Sequence, residues 1–401
     1  MPPGDGERSC STLRATRTRS ILCIQPTADG GGSETALIAM IRQLSADGWT
    51  CHVAVPRRPR LAEEYASAGA RLHVVGMARV TASEGRGYWF GYAAAWPVSV
   101  LRLAWLARRL RVDVVHSNSL HSWYGWAAAW LVRRPHVWHA REIVTQSGVA
   151  LRVERVLARR FARRVVAISA AVAAQLDPAN VEVVTDEPDP DVWSPARAGR
   201  WRASVGIADD VPLIGSVGRI DTWKGFGVLL DAVPVIRESV PEVAVVVAGD
   251  PVGGKDDYAA GLAARAASLG VRWLGHRRDV PDLLADLDVF VQVSTSPEPW
   301  GLVHAEALAS GVPIVAGDEG GPVEMLAGAP AGAGRLVRPG DAAALAEAVV
   351  GLLTAPGVPR GAEARRRRRR LRAADSGGRR WSELFESVLE SGAAQPEASR
   401  T

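Results

Sequence analysis

Cysteine is scarce: Cys10, Cys23 and Cys51 are the only three, and no two stand at a CxxC spacing. That excludes a disulfide framework and a cysteine-held zinc site, and it fits a reducing, cytoplasmic compartment. Long apolar runs are missing too. The longest, Trp123 to Val132, has ten residues, about half of what crosses a bilayer. Near the start, Arg8, Arg14, Arg17 and Arg19 lie among Ser and Thr before only four apolar residues, Ile21 to Ile24. A signal peptide needs an apolar stretch of about 7–15 residues, so residues 1–19 read as a disordered leader. Lysine is nearly absent: of 48 basic residues only Lys224 and Lys255 are not arginine. A spread-out basic face is lacking as well. Arg365 to Arg370 form an unbroken run, and without them the net charge of +5 would fall to −1. A nucleic-acid-binding body carries its charge across the folded domain. No nucleic-acid partner is therefore expected, and the run itself reads as a solvated segment.

What the chain does have is size and rhythm. With 401 residues, 47% of them hydrophobic, it can bury two cores. Short apolar runs alternate with amphipathic stretches, the signature of parallel sheets joined by helices. Strands are expected at 20–25, 50–55, 71–75, 112–116, 136–140, 164–168 and 181–185. Prolines then crowd at Pro188, Pro190 and Pro195 and break both periods. The rhythm restarts with strands at 212–217, 243–248, 271–274, 289–292, 313–316 and 335–337. The expected plan is α/β: two facing doubly wound parallel-sheet domains, 20–187 and 211–356, joined by a linker at 188–210. An arginine-rich segment follows at 357–379, and a last helix at 380–391 crosses back to the first domain. Ligands of such sheets sit beyond the carboxyl ends of the strands, so the residues just after each strand are the ones to examine.

After the first strand stands Asp29-Gly30-Gly31-Gly32-Ser33-Glu34, opening a helix. Adjacent glycines let backbone approach a ligand, and a helix N-terminus favours an anion. A dinucleotide site is disfavoured, because Thr35 replaces the third glycine of GxGxxG and no acid follows Val55-Pro56-Arg57-Arg58. The second domain opens with Gly218-Arg219-Ile220-Asp221-Thr222-Trp223-Lys224-Gly225. Two fixed cations, Arg219 and Lys224, suit a diphosphate, and suit better one that gains charge as a bond to it breaks. Then comes Glu298-Pro299-Trp300-Gly301-Leu302-Val303-His304-Ala305-Glu306. Eight residues at helical rise separate the two glutamates by up to about 12 Å, too far for the roughly 5 Å of a retaining glycosidase pair. They are better placed to grip two ends of one long ligand, with the N–H groups of Gly301, Leu302 and Val303 between them.

The Glu-x7-Glu segment, the Gly-Arg-x4-Lys-Gly loop, the Gly-Gly-Ser-Glu loop and Gly311-Val312-Pro313-Ile314-Val315, in this order, resemble glycosyltransferase family 4, retaining enzymes of the GT-B fold. The resemblance runs from about residue 20 to 355. It implies a nucleoside-diphosphate-sugar donor, UDP- or GDP-linked, with its diphosphate on Arg219 and Lys224. Glu306 would take the ribose hydroxyls and Glu298 the sugar hydroxyls, with Gly31 and Gly32 lining the cleft from the other domain. The stretch around His276 and Arg277 would cradle the base, and His139 would contact the transferring sugar. No cofactor and no metal are expected: the cleft segments hold no DxD-like pair, and the family's route is front-face attack with the departing phosphate taking the acceptor proton. One departure stands out. The first domain ends Thr185-Asp186-Glu187-Pro188-Asp189 where the family usually reads Pro-Asn-Gly, which places acidic residues at the hinge.

Two rival readings share the architecture, a nucleotide-sugar epimerase and a catalytically silent nucleotide-sugar-binding subunit. The acceptor is not legible, though Tyr88, Trp89, Phe90, Tyr92, Trp96 and Trp105 alternate with arginines between residues 85 and 111. That mixture suits either a packed amphipathic helix or a surface meeting a lipid-linked acceptor at the inner face of the membrane.

Overall fold

A strand covered by helices on both faces needs apolar residues without alternation. Ile21 to Ile24 and Val245 to Val247 are such runs, each residue at most 1% exposed. The computed structural model describes residues 18–78, 86–145, 147–176, 180–356, 361–366, 368 and 380–393. The expected leader, except residues 18 and 19, and most of segment 357–379 lie outside them.

The first domain runs β1 (Ser20–Ile24), α1 (Gly32–Ala46), β2 (Thr50–Val55), α2 (Ala62–Ser67), β3 (Ala70–Val74), α3 (Arg86–Arg109), β4 (Val114–Ser117), α4 (Gly125–Val132), β5 (His136–Ala140), α5 (Gly148–Phe161), β6 (Arg164–Ala167), α6 (Ala170–Ala174) and β7 (Val181–Val183). Its sheet has the order β3-β2-β1-β4-β5-β6-β7, every pairing parallel. The second domain follows as α7 (Arg200–Val205), β8 (Leu213–Val217), α8 (Phe226–Ser239), β9 (Ala244–Ala248), α9 (Asp256–Ser268), β10 (Arg272–Trp273), α10 (Val280–Asp286), β11 (Val289–Gln292), α11 (Leu302–Ala309), β12 (Ile314–Gly317), α12 (Gly321–Ala327), β13 (Gly334–Val337), α13 (Ala342–Thr354) and α14 (Ala362–Arg366). Its sheet reads β10-β9-β8-β11-β12-β13, again all parallel. In each domain the strand order reverses beside the first strand, β1 or β8, which is where such sheets open a crevice.

The helices of the first domain divide between its faces. Leu37, Ile41 and Leu44 of α1 and Tyr65 of α2 pack under one face; Leu103 and Ala107 of α3 and Ala128 of α4 cover the other. There Phe161 of α5 stacks on Trp126 of α4 at 4.4 Å. The last helix, α15 (Trp381–Ala393), buries Leu384, Phe385 and Val388 beside α1, and Ser382 bonds Asp47 at 2.6 Å. The last described helix thus packs on the first domain. Cys23 and Cys51 are free and buried. Among the described residues no helix is long and apolar enough to cross a membrane.

Two members of the arginine run, Arg365 and Arg368, correct the expectation of a solvated segment, while Arg366 is exposed and Arg367, Arg369 and Arg370 lie outside the described residues. Arg365 is fully buried and Arg368 nearly so, their side chains 0% and 6% exposed. Together with Arg202 of α7 they meet Asp286 and Asp288 at the end of α10. Arg202 bonds Asp288 at 2.8 Å, Arg368 bonds the same carboxylate at 2.9 Å, and Arg365 bonds Asp209 at 2.7 Å. Asp286 accepts the backbone N–H groups of Trp201 and Arg202, each at 2.9 Å. Guanidinium forks match carboxylates bidentately, so the cluster neutralises charge that could not stay buried alone. It also fastens residues 198–205, expected as linker, onto the second domain.

Candidate active site

The carboxyl end of β8 leads into the turn 218–225. Gly225 has φ 77°, and a Cβ there would lie 1.8 Å from the Val293 carbonyl oxygen. The turn is therefore pressed against the end of β11, where Thr295 donates its N–H to Trp223 at 2.7 Å. Lys255 braces the other side through Asp221 and Thr222. Burial works to raise the Asp221 carboxyl, but the Lys255 hydrogen bond and the Thr222 N–H hold it below its ordinary value.

Lys224, carried by this turn, reaches both oxygens of Glu298, at 2.7 and 2.9 Å, and lies 4.2 Å over the Trp223 ring. Ser294 donates to the same carboxylate at 2.9 Å. Burial would raise the Glu298 carboxyl; the Lys224 and His304 charges and the bonds from Lys224 and Ser294 overcome it and hold the group ionised below its usual range. Gly320 seats Glu298 from behind, since a Cβ there would stand 2.1 Å from the Glu298 carbonyl oxygen. Three residues on, Gly301 at φ 84° starts α11, so the free N–H groups of that helix open beside the ion pair. Glu306, on the helix itself, is 8% exposed, and burial pushes its carboxyl up to about 8.

The glycine loop faces this helix from the first domain. A Cβ on Gly32 would come within 4.0 Å of the Leu302 side chain. Glu34, fully buried, holds the loop by accepting the Gly30 N–H at 2.6 Å. Arg219 is exposed on the same turn as Lys224. His276 and Arg277 lie at the rim beyond β10 and face acids rather than each other: His276 sits 3.3 Å from Asp250, and Arg277 bonds Asp279 at 2.8 Å.

His139 is placed otherwise than expected. It is fully buried, one pleat below the end of β5, between His116 at 3.4 Å and the Trp381 ring of α15 at 5.2 Å. Burial first, then the Arg141 and His116 charges, keep its ring neutral. A side chain beneath a helix does not present itself to the cleft. The physical reason is strand alternation: two residues later on the same side, β5 delivers Arg141 past its end. Arg141 bonds Asn118 at 2.7 Å and pairs with Asp186. Asn118 in turn bonds the Ser33 carbonyl at 2.9 Å, and the Asp186 carbonyl accepts Trp300 Nε1 from the second domain at 3.0 Å. The unusual acid at the hinge is therefore matched by an arginine at the cleft. Sequence reasoning passed over Arg141, Asn118 and Lys255, although the scarcity of lysine that drew notice to Lys224 applied equally to Lys255.

The domains also touch further out. Glu324 at the start of α12 accepts the N–H groups of Ala170 and Ala171 at the start of α6, both at 2.8 Å.

Comparison with known proteins agrees with the two-domain fold. Residues 30–184 match the profile described as Glycosyltransferase Family 4, and residues 198–372 match Glycosyl transferases group 1. The chain is 33% identical over 311 residues to the alpha-maltose-1-phosphate synthase of Mycobacterium tuberculosis, covering 73% of this chain and 76% of that one. It is 26% identical over 196 residues to the lipopolysaccharide core biosynthesis mannosyltransferase LpsB of Rhizobium meliloti, spanning 47% of this chain but only 55% of that relative's length. Its fold is similar to that of Anabaena HepE crystallised with UDP-glucose, with TM-score 0.74, 24% identity and coverage of 94% of this chain and 100% of the other. The cleft between two parallel sheets and both matched halves lead to one assignment: the chain belongs to the group 1, family 4 glycosyltransferases, of GT-B fold.

Proposed function

We propose that the chain transfers a hexose from a UDP- or GDP-linked donor to an acceptor hydroxyl with retention of configuration, and without a metal. The observation that carries this reading is the Lys224–Glu298 pair at the N-terminus of α11, facing the Gly31–Gly32 loop. A diphosphate laid along the α11 N-terminus meets Lys224, Arg219 and the N–H groups of Leu302 and Val303. The sugar beyond it meets Glu298, and the ribose meets Glu306. In the transfer the bond between the anomeric carbon and the β-phosphate oxygen breaks, and the acceptor oxygen bonds that carbon from the same face. The acceptor proton passes to the departing phosphate oxygen. Lys224, Arg219 and the helix dipole stabilise the charge that develops there, a contribution worth about 10²–10³ in rate per group. Arg141 and Asn118 hold the acceptor side of the cleft against the glycine loop. The named relatives act in the making of lipopolysaccharide core and maltose phosphate, and for this chain we favour a lipid-linked acceptor met at the cytoplasmic face of a membrane.

The test is to incubate the protein with a panel of nucleoside-diphosphate sugars and acceptor extracts. Nucleoside diphosphate release that depends on acceptor, survives EDTA and yields a product of unchanged anomeric configuration is expected. Binding without release would support the silent subunit, and an altered sugar still on its nucleotide would support the epimerase.

A further inference from the structure

The helix α3 is apolar on two sides. Its inner side, with Val100, Leu103 and Ala107, is buried against the sheet. Its outer side carries Phe90, Val98, Leu101 and Trp105, which are 77%, 50%, 61% and 59% exposed. The intervals of four, four, three and four residues, running from Phe90 through Ala94, put them in one stripe along the helix. A helix apolar all round is ordinarily enclosed, and among the described residues nothing encloses this one. The neighbouring helices continue the surface on the same side of the sheet. Trp130 of α4 is 66% exposed, and Val149 and Val156 of α5 are 70% and 65% exposed, the latter two again on one helical face.

Among the described residues of α3, α4 and α5 the exposed charge has one sign. Helices α3 and α4 contain no acidic residue, and α5 contains only Glu154, which is fully buried and bonded by His121 at 2.9 Å and Trp123 at 3.2 Å. Arginines at 102, 108, 109, 133, 134, 152, 155, 159 and 160 are all exposed. On the opposite face α2 carries Glu63 and Glu64, so the asymmetry belongs to the three helices and not to the chain. Arg109 lies 5.0 Å over the Trp105 ring, a cation seated on an aromatic whose edge is apolar.

We infer that the outer face of α3, α4 and α5 docks on an anionic lipid surface, with Phe90, Leu101, Trp105 and Trp130 entering the headgroup boundary and the arginines meeting the phosphates. An arginine field on helices whose described outer residues include no acid complements anionic headgroups, and exposed aromatics take the apolar side of the same boundary. Nucleic acid offers the anions without the apolar layer, so it leaves the stripe unexplained. The inference extends the reading of a lipid-linked acceptor, yet it is tested without any transfer.

The experiment is co-sedimentation of the full chain with vesicles of phosphatidylglycerol in phosphatidylcholine, and with phosphatidylcholine alone. Binding to the anionic vesicles, weakened by salt, is expected. Each basic residue near such a surface is worth about fivefold in affinity, so Arg152→Glu with Arg155→Glu should lower it by well over tenfold. Leu101→Ser with Trp105→Ser should lower it by at least a similar factor at unchanged salt. Both variants lie outside the cleft, and donor turnover by them with a soluble acceptor, once one is found, should stay within a few-fold. Circular dichroism and thermal melting check that each variant folds. Absence of binding at low salt, equal binding to neutral vesicles, or a stable dimer that buries Trp105 and abolishes vesicle binding would each overturn the inference. Vesicle binding by a protein that transfers no sugar would leave it standing and would sink the transferase reading instead.

Discussion

Removing the Lys224 side chain separates what the ion pair does for the fold from what it does for catalysis. Both partners are almost out of water, with side chains 12% and 8% exposed. In Lys224→Ala, Glu298 keeps the Ser294 bond and loses its cation, and burial then dominates as it already does at Glu306, whose carboxyl stands at about 8. Glu298 then rises above the value it has in the unfolded chain. Folding at pH 7 then requires uptake of a proton. The variant loses about 3–5 kcal/mol at pH 7, the loss expected on breaking a buried pair. The sign is specific. A carboxyl raised in the fold contributes stability below its unfolded value and loses it as pH climbs toward the folded value. The difference between variant and wild type should therefore be large at pH 7 and shrink toward pH 4. Lys224→Ala with Glu298→Gln should recover most of the stability, because the stranded charge is gone, while turnover stays down by about two orders of magnitude. Urea denaturation at several pH values and nucleoside diphosphate release measure the two effects. Equal destabilisation at every pH, with no recovery in the double variant, would falsify the account of the pair.

Much of the plan was legible because parallel strands announce themselves. The strand at 136–140 was read with the bounds it has, since His136–Ala140 is a short run bounded by Pro135 and the charged pair after it. The meeting of Lys224 with Glu298 follows from a similar local reason: cations and glutamates on glycine-punctuated turns after neighbouring strands come together at one end of the sheet. The first domain's side of the cleft was not. His139 and Arg141 share a face of β5, so what separates them is distance from the strand's end: two residues carry a side chain from beneath α15 to beyond the strand. His139 was read as the exposed member, whereas α15, more than 240 residues later in sequence, closes over it through Trp381. The arginine run failed for a related reason. Six like charges in sequence repel unless acids wait elsewhere, and Asp286 and Asp288 do so about 80 residues upstream. Composition reports the charges and is blind to that pairing.

Three further outcomes follow from the geometry. Glu306, raised to about 8 by burial, keeps its proton in the fold while the unfolded chain gives one up, so stability should fall between about pH 4.5 and 8. Glu306→Gln should flatten that slope in thermal melts and weaken nucleoside diphosphate binding, and in the wild type binding should tighten as pH rises toward 8 if ribose hydroxyls bond the carboxylate. Arg365→Ala leaves Asp288 with Arg202 and Arg368 and Asp286 with its backbone N–H bonds, so it should cost about 1.5–3 kcal/mol in urea denaturation, the worth of hydrogen bonds to a charged group; Arg365→Lys should recover little, because an ammonium lacks the fork. The remaining outcome concerns β5 and the hinge together. His139→Phe keeps an aromatic under Trp381 and should leave turnover within a few-fold, whereas Arg141→Ala should lower kcat/KM by at least tenfold. The reason lies in what Arg141 joins. It pairs with Asp186 and orders Asn118, and Asp186 passes the constraint to Trp300, next to the start of α11. If the pair acts as one unit, Arg141→Ala, Asp186→Asn and the double variant should give kcat/KM losses that are not additive, with a coupling of about 1–3 kcal/mol. Losses that add to within about 0.5 kcal/mol would mean that Arg141 acts on the acceptor side alone and that the hinge closes independently of it.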